Sequence, residues 1–231
     1  MDNINAFMLA LGGGILPAVV WLLFWLREDR RHPEPKGMIS LAFLAGMLVV
    51  PLVLPIELAI YKFFANSSVI LFSLWALTEE VLKFGACYFV ALSKKVTDEP
   101  IDEVIYLITT ALGFSALENA FFLINPLFEN DIATGVVAGS MRFIGATLLH
   151  TVASATIGIF LAFSFYKNSR TRRIAVSWGI FFAVVLHAAF NLFIIESEGI
   201  HIFTVFSFVW AAIILLMWLF QRIKRIRAYK T

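Results

Sequence analysis

The chain has 231 residues, of which 61% are hydrophobic and only 15% are charged, and its formal net charge is +2. A soluble domain would have about a quarter of its residues charged and under half apolar. This composition excludes a disordered chain, a nucleic-acid-binding domain and an ordinary cytosolic enzyme, and it indicates a helical membrane protein.

Seven apolar runs are long enough to cross a lipid bilayer, which takes about 20 residues per helix. In chain order they lie at about 6–26, 38–64, 68–92, 102–125, 136–166, 174–195 and 201–221. The runs are continuous and do not alternate with polar residues, so they predict helices and not the strands of a barrel. The sequence therefore predicts an all-α bundle of about seven transmembrane helices, in a single domain over residues 1–231.

The basic residues indicate the orientation of this bundle. Most of the 18 Lys and Arg residues lie in alternate connections, at 27–36, 94–95 and 167–173, and in the tail at 222–230. The positive-inside rule then predicts an N-terminus outside the cell and a C-terminus in the cytoplasm. Arg142 is an exception near the outer end of the fifth run, where its long side chain can reach the membrane surface.

Among the ionisable residues within the apolar runs, seven are singled out, namely Glu57, Glu79, Glu80, Lys83, Glu118, His150 and His187. A charge at the bilayer centre costs at least about 2.5 kcal/mol, so such residues are candidates for function. Glu79, Glu118 and the two histidines lie at similar distances from the cytoplasmic ends of their helices, roughly 21–26 Å at 1.5 Å per residue. They are predicted to form one layer nearer the outer face. Glu57 lies near an outer helix end and is expected to have a structural or interfacial role.

Small and polar residues recur every four positions on the two histidine-bearing helices. The stripe in the fifth run consists of Ala146, His150, Ser154 and Gly158, and the stripe in the sixth consists of Gly179, Ala183, His187 and Asn191. Small residues allow helices to approach closely, and the polar residues of each stripe then face other helices. In the third run Glu79 and Lys83 form an i,i+4 pair, whereas Glu80 points about 100° away from Glu79.

Glutamate and histidine side chains in one layer are typical of hydrolytic chemistry. Two or three such ligands with an open position make a catalytic metal site, and a further carboxylate can serve as general base. The same carboxylates could activate water without a metal, and the residues alone leave both mechanisms open. The sequence has no H-E-x-x-H motif, and Asp102, at the first position of the fourth run, is the only aspartate in an apolar run, which excludes an aspartyl dyad.

Four segments, each in a separate helix, resemble motifs of the PrsW-type intramembrane proteases. The first two are TEEVLKF at Thr78–Phe84 and GFSALENAFFLI at Gly113–Ile124, which are similar to the E-E-x-x-K motif and the F-x-x-x-E segment. The last two are LLHTVASATIGIFLAF, which contains His150, and LHAAFNLF, which contains His187 and Asn191. The four segments follow one another in order and span nearly the whole chain.

This resemblance implies an endopeptidase of the bacterial inner membrane, from a superfamily shared with the CAAX-prenyl endopeptidases and bacteriocin-processing enzymes. The family is classed as metalloproteases, with zinc as the expected ion and a membrane-anchored protein as the substrate. In its best-known role the protease makes the first cut, on the extracytoplasmic side, in a single-span anti-sigma factor. The family's last motif often ends in Asp, whereas this chain has Asn191, as the CAAX-type relatives commonly do.

Each candidate residue is given an expected role on this basis. Glu79 is expected to be the general base, Glu80 to orient or neutralise groups within the site, and Asn191 to position a histidine or the substrate. The expected zinc ligands are Glu118, His150 and His187. Without a metal, the last three would contact the attacking water and the oxyanion directly.

Two other classes of function stay open on the sequence alone. Chains of membrane Glu and His residues also build proton relays, so a proton- or metal-ion transporter is an alternative. No inverted repeat with broken helices is evident, which disfavours a transporter. The other alternative is a catalytically silent scaffold that binds a membrane protein. A nucleic-acid partner is not expected.

Overall fold

The structure is a computed structural model, and it describes residues 3–28, 32–129, 131–196 and 202–226. These residues contain no β-strand. The α-helices are α1 (Asn3–Glu28), α2 (Lys36–Phe64), α3 (Ser68–Cys87), α4 (Pro100–Phe128), α5 (Ile132–Met141), α6 (Thr147–Phe163), α7 (Ser169–Glu196) and α8 (Ile202–Ile223).

Two π-helical segments interrupt or extend these helices, so the eight helices form seven long helical segments. One, Tyr88–Leu92, continues α3, and the other, Arg142–Ala146, joins α5 to α6 in one rod over Ile132–Phe163. Six of the seven segments are long and apolar enough to span a membrane. The exception is α3, which carries Glu79, Glu80 and Lys83 within its length.

The predicted all-α membrane bundle is thereby confirmed. The helices agree with the predicted runs within a few residues at each end, although the first residue of the last run, His201, lies outside the described residues. The outward faces of α2 and α8 expose large apolar side chains such as Leu48, Phe63 and Trp218, as faces in contact with lipid require. The orientation of the termini and the single-domain assignment stay predictions.

Helix α4 forms the centre of the bundle, because it packs against α1 and α2 on one side and α6 on the other. Every residue from Pro100 to Ala116 is buried, as expected for a helix that is hydrophobic around its whole circumference. Helix α2 comes very close to it, because a Cβ atom at Gly46 would overlap the carbonyl oxygen of Thr110 and one at Gly113 would overlap that of Phe43. Glycine at both positions therefore allows the two backbones to touch.

The start of α4 is fixed by a group of polar contacts. Glu99 and Asp102 form a capping box, and Oδ2 of Asp102 accepts hydrogen bonds from the backbone N–H groups of Asp98 (2.9 Å) and Glu99 (2.7 Å). The hydroxyl of Tyr106 donates to the carboxylate of Glu34, which lies just before α2. These contacts fix the register of α4 and with it the depth of the residues further along this helix.

Candidate active site

Four helices bring the ionisable residues of the predicted layer together. Glu79, Glu80 and Lys83 come from α3, and Glu118, His150 and His187 come from α4, α6 and α7. Counted from the helix ends on the basic side of the bundle, Glu79, Glu118 and the two histidines lie roughly 20–27 Å into their helices at 1.5 Å per residue. Glu118 is partly exposed, and the other five side chains are buried.

Glu80 is fully buried and is held by three donors. Its Oε1 accepts a hydrogen bond from Nζ of Lys83 (2.6 Å) and lies 2.9 Å from Nδ1 of His187, while its Oε2 accepts from Oγ of Ser154 (2.9 Å). A carboxylate only accepts, so Nδ1 of His187 carries the proton and donates it to this bond. Nε2 of His187 is therefore left with a lone pair, in the arrangement of a carboxylate that orients a histidine ligand.

His150 is held at both ring nitrogens. Its Nδ1 lies 3.1 Å from Nζ of Lys83, and its Nε2 lies 3.0 Å from Oε2 of Glu118. An ammonium group only donates, so Nδ1 is the acceptor and Nε2 carries the proton that Glu118 receives. The ring also packs edge-on against Phe114 and against the ring of His187, with centroid distances of 5.2 Å and 5.0 Å.

Glu79 lies between the two imidazoles. Its Oε2 is 3.7 Å from Nδ1 of His150, 3.8 Å from Nε2 of His187 and 3.7 Å from Nζ of Lys83, all too long for a hydrogen bond. This oxygen is buried and has no hydrogen-bond partner among the described residues. A buried unpaired acceptor costs about 1–3 kcal/mol, and more when it is charged. Such an atom in contact with two imidazole nitrogens is suited to bind a metal ion or a reacting water.

The donors fit a divalent metal ion of the kind that the sequence predicts. One ligand atom from each of Glu79, His150 and His187 lies within 4.8 Å of the other two. Two imidazoles with one carboxylate form a ligand set that catalytic zinc sites use. Oε2 of Glu79 and Nε2 of His187 are available as they stand, whereas Nδ1 of His150 would exchange its contact with Lys83 for the ion.

Glu118, which the sequence interpretation places among the ligands, lies outside this group of three. Its Oε2 accepts hydrogen bonds from Arg142 and from His150. Asn191 lies on the cavity wall described below, one helical turn beyond His187. The roles assigned to Glu79, Glu80, Glu118 and Asn191 stay predictions.

A cavity of about 470 Å³ opens beside this group of residues. Its wall is formed mostly by apolar side chains, among them Val53, Phe114, Phe121, Phe190 and Phe206. Glu79, Glu118, His150 and His187 all face it, so the polar centre is accessible from one apolar chamber. A pocket of this size with a few convergent polar groups is typical of a substrate site.

Two further residues belong to this cavity although the sequence interpretation placed them elsewhere. The interpretation of Arg142 as a residue that reaches the membrane surface is wrong, because its guanidinium turns inward and donates to Glu118. The sequence did contain a signal for this inward position. The stripe of Ala146 and His150 has a spacing of four residues, and one more step of four before Ala146 reaches Arg142. Glu57 lines the same cavity as Glu79.

Proteins of one bacterial family are similar to this chain over most of its length. The profile of the family described as "PrsW family intramembrane metalloprotease" matches residues 34–219. A protein named Protease PrsW from Geobacillus kaustophilus is 27% identical over 191 residues, which cover 81% of this chain and 80% of that protein. The Protease PrsW of Clostridioides difficile is 24% identical, with 94% and 86% covered, and that of Bacillus subtilis is 22% identical, with 78% and 80% covered.

No solved structure matches this chain significantly. The family profile covers most of the chain and includes all four helices that build the polar centre. The relatives are bacterial, and the helices are long and apolar enough for an integral membrane protein. The chain therefore belongs to the PrsW family of intramembrane metalloproteases.

Proposed function

We propose that this membrane peptidase hydrolyses a peptide bond of a membrane-anchored protein with Glu79 as the general base. The observation that carries this proposal is the buried, unpartnered Oε2 of Glu79, 3.7 Å from Nδ1 of His150 and 3.8 Å from Nε2 of His187. A water held between this carboxylate oxygen and Nε2 of His187 can give one proton to Glu79 as its oxygen bonds to the carbonyl carbon, and Glu79 can then pass that proton to the amine nitrogen as the C–N bond breaks. General-base assistance of this kind typically contributes 10²–10⁴-fold in rate.

The neighbouring residues are proposed to hold the two groups that contact the water. Glu80 accepts a hydrogen bond from Nδ1–H of His187 and so keeps the lone pair of Nε2 free, either to accept a hydrogen bond from the water or to bind a metal ion. Lys83 compensates the charge of Glu80, since its Nζ lies 2.6 Å from Oε1 of Glu80. Asn191 is proposed to donate its amide protons to the substrate carbonyl, because it lies on the cavity wall one turn beyond His187.

Zinc is the proposed metal, and Glu79, His150 and His187 would hold it. When bound, zinc would lower the pKa of a water ligand to about 7 and polarise the carbonyl under attack. Glu79 has two carboxylate oxygens, so holding an ion through one leaves the other to take the proton. Glu118 is proposed to orient His150 and not to bind the ion, since its Oε2 already accepts from Arg142 and His150.

The proposed substrate is a single-span membrane protein, cut near the outer face, with anti-sigma factors as the first class to examine. The mostly apolar cavity wall supports a substrate segment that leaves the lipid to reach the polar centre. The cavity also lies toward the ends of α2 and α4 that are remote from the basic connections, which supports a cut on the outer side.

The test is cleavage of tagged single-span membrane proteins, anti-sigma factors among them, by the reconstituted protein, with fragments identified by mass spectrometry. Glu79→Gln keeps the shape of the side chain and removes the base, so cleavage should fall 10²–10⁴-fold. The matched control is Glu28→Gln, at the end of α1 and away from the cavity, which should cleave normally. Undiminished cleavage by Glu79→Gln would overturn the assignment, and stable binding without any cut by the wild type would favour the scaffold alternative.

A further inference from the structure

Arg142 occupies a special position in the rod that carries His150. It is the first residue of the π-helical segment Arg142–Ala146, which joins α5 to α6. π-helical turns inside α-helices occur often at functional sites, because the wider turn changes the direction in which a side chain points. Arg142, Ala146 and His150 all line the cavity, so this segment aims the guanidinium at the same chamber as the imidazole.

The guanidinium is held by three side chains of α4. Nη2 donates to Oε2 of Glu118, Nε donates to Oδ1 of Asn119, and the guanidinium carbon lies 3.8 Å above the ring centroid of Phe122. Asn119 is itself fixed, since its Nδ2 donates to Oγ of Ser115 (3.1 Å) and to Oγ1 of Thr147 (2.9 Å). An arginine that is bound by its fork and stacked on a ring has one orientation, which a lysine could not reproduce.

The atom that Arg142 holds is the atom that binds His150. Oε2 of Glu118 accepts from Nη2 of Arg142 and lies 3.0 Å from Nε2 of His150. Without the guanidinium, a carboxylate in this apolar wall would lose its compensating charge, and it would be free to rotate away from the ring. Nδ1 of His150, which faces Glu79 at 3.7 Å, would then lose the partner that fixes the opposite end of the imidazole.

We infer that Arg142 is a positioning residue of the active site, which holds Glu118 so that Glu118 fixes the orientation of His150. The inference rests on the proposed function, since it concerns how the reacting layer is kept in place. Arg142 acts through Glu118. It touches neither Glu79 nor His187, the two residues proposed to contact the reacting water. A purely structural ion pair would stabilise the bundle without affecting His150.

Kinetics and one matched control separate these two roles. Arg142→Gln should lower kcat about 10–100-fold, as loss of a residue that orients a ligand typically does, with KM within about twofold. Arg142→Lys should recover part of kcat, since an ammonium can pair with Glu118 but not donate to Asn119 at the same time. The control is Arg172→Gln, which breaks the partly buried pair of Arg172 with Glu103 at the start of α4, away from the cavity, and should leave kcat unchanged.

A double variant tests whether the effect passes through Glu118. Arg142→Gln should add little to the loss already caused by Glu118→Gln, because both substitutions release the same ring. Losses that multiply would overturn the inference, as would equal values of kcat for Arg142→Gln and Arg172→Gln.

A spectroscopic measurement gives a readout that needs no substrate. Nitrogen NMR of the metal-free, histidine-labelled protein should show the Nε2–H signal of His150 at the same shift in the wild type and in Arg172→Gln, and displaced in Arg142→Gln, where Glu118 no longer holds this group. His150→Gln identifies the signal. An unchanged His150 signal in Arg142→Gln would overturn the inference even if no cleavage were found, whereas a displaced signal without cleavage would support it and count against the proposed function alone.

Discussion

Replacing Lys83 by methionine should destabilise the bundle strongly, because it leaves a charge buried without its counter-ion. Lys83 and Glu80 are both fully buried, and Nζ lies 2.6 Å from Oε1. At an effective dielectric constant of about 20, two unit charges at that distance attract each other by roughly 6 kcal/mol. Desolvation offsets part of this attraction, and breaking a buried pair by removing one partner costs about 3–5 kcal/mol. That loss is a large fraction of the 5–15 kcal/mol that typically stabilises a folded protein.

The measurement is reversible unfolding in mixed micelles, followed by circular dichroism, for Lys83→Met, Glu80→Gln and the double variant. The double variant should recover most of the stability, since two neutral side chains leave no uncompensated charge. The control is Lys62→Met on the exposed end of α2, which should change the free energy of unfolding by less than about 0.5 kcal/mol. A loss for Lys83→Met no larger than that of the control, or additive losses in the double variant, would refute the reasoning.

The remaining predictions concern the metal and the central helix crossing. Purified wild-type protein should contain about one zinc ion per chain by plasma mass spectrometry. His187→Ala should lose it, while His32→Ala, whose side chain is 72% exposed, should keep it. Zinc retained in His187→Ala would remove His187 from the proposed donor set. Gly113→Ala should prevent normal packing of α2 on α4, because the new Cβ atom would overlap the carbonyl oxygen of Phe43. Its loss of unfolding free energy should exceed that of Gly37→Ala, where no atom lies within 4 Å of the added Cβ, and equal losses would contradict the proposed crossing.

The bundle and the depth of its polar layer could be predicted because both depend only on distances along the sequence. The length of an apolar run sets the number of helices, and the rise of 1.5 Å per residue sets the depth of each charged residue within it. Glu79, His150 and His187 are accordingly brought together by three helices that are far apart in the sequence. Close helix contact through small residues was also predictable, and Gly179 of α7 lies against the backbone of Ile157 on α6.

The different positions of Glu118 and Glu79 relative to the two imidazoles could not be predicted in the same way. Which carboxylate lies between the imidazoles depends on the rotation of α3 and α4 about their axes, and the residue spacing leaves a wide range of rotations open. Arg142 was missed because the depth rule places it near a helix end, where long basic side chains usually extend to the surface. The π-helical segment and the acceptors on α4 turn it inward, and neither has a sequence signal that is specific by itself.

The two histidines are protonated at opposite ring nitrogens, and this difference explains why Glu79 is their common neighbour. His187 is held at Nδ1 by Glu80, whereas His150 is held at Nε2 by Glu118. The nitrogens that remain as acceptors, Nε2 of His187 and Nδ1 of His150, lie 3.8 Å and 3.7 Å from the same oxygen of Glu79. A carboxylate cannot donate a proton while it is ionised, so Glu80 and Glu118 each permit one tautomer only. An amide at either position could both donate and accept, and the two lone pairs would no longer be directed at one point. Two carboxylates thus hold the imidazoles, and one oxygen of a third carboxylate, Glu79, lies between the nitrogens that remain as acceptors.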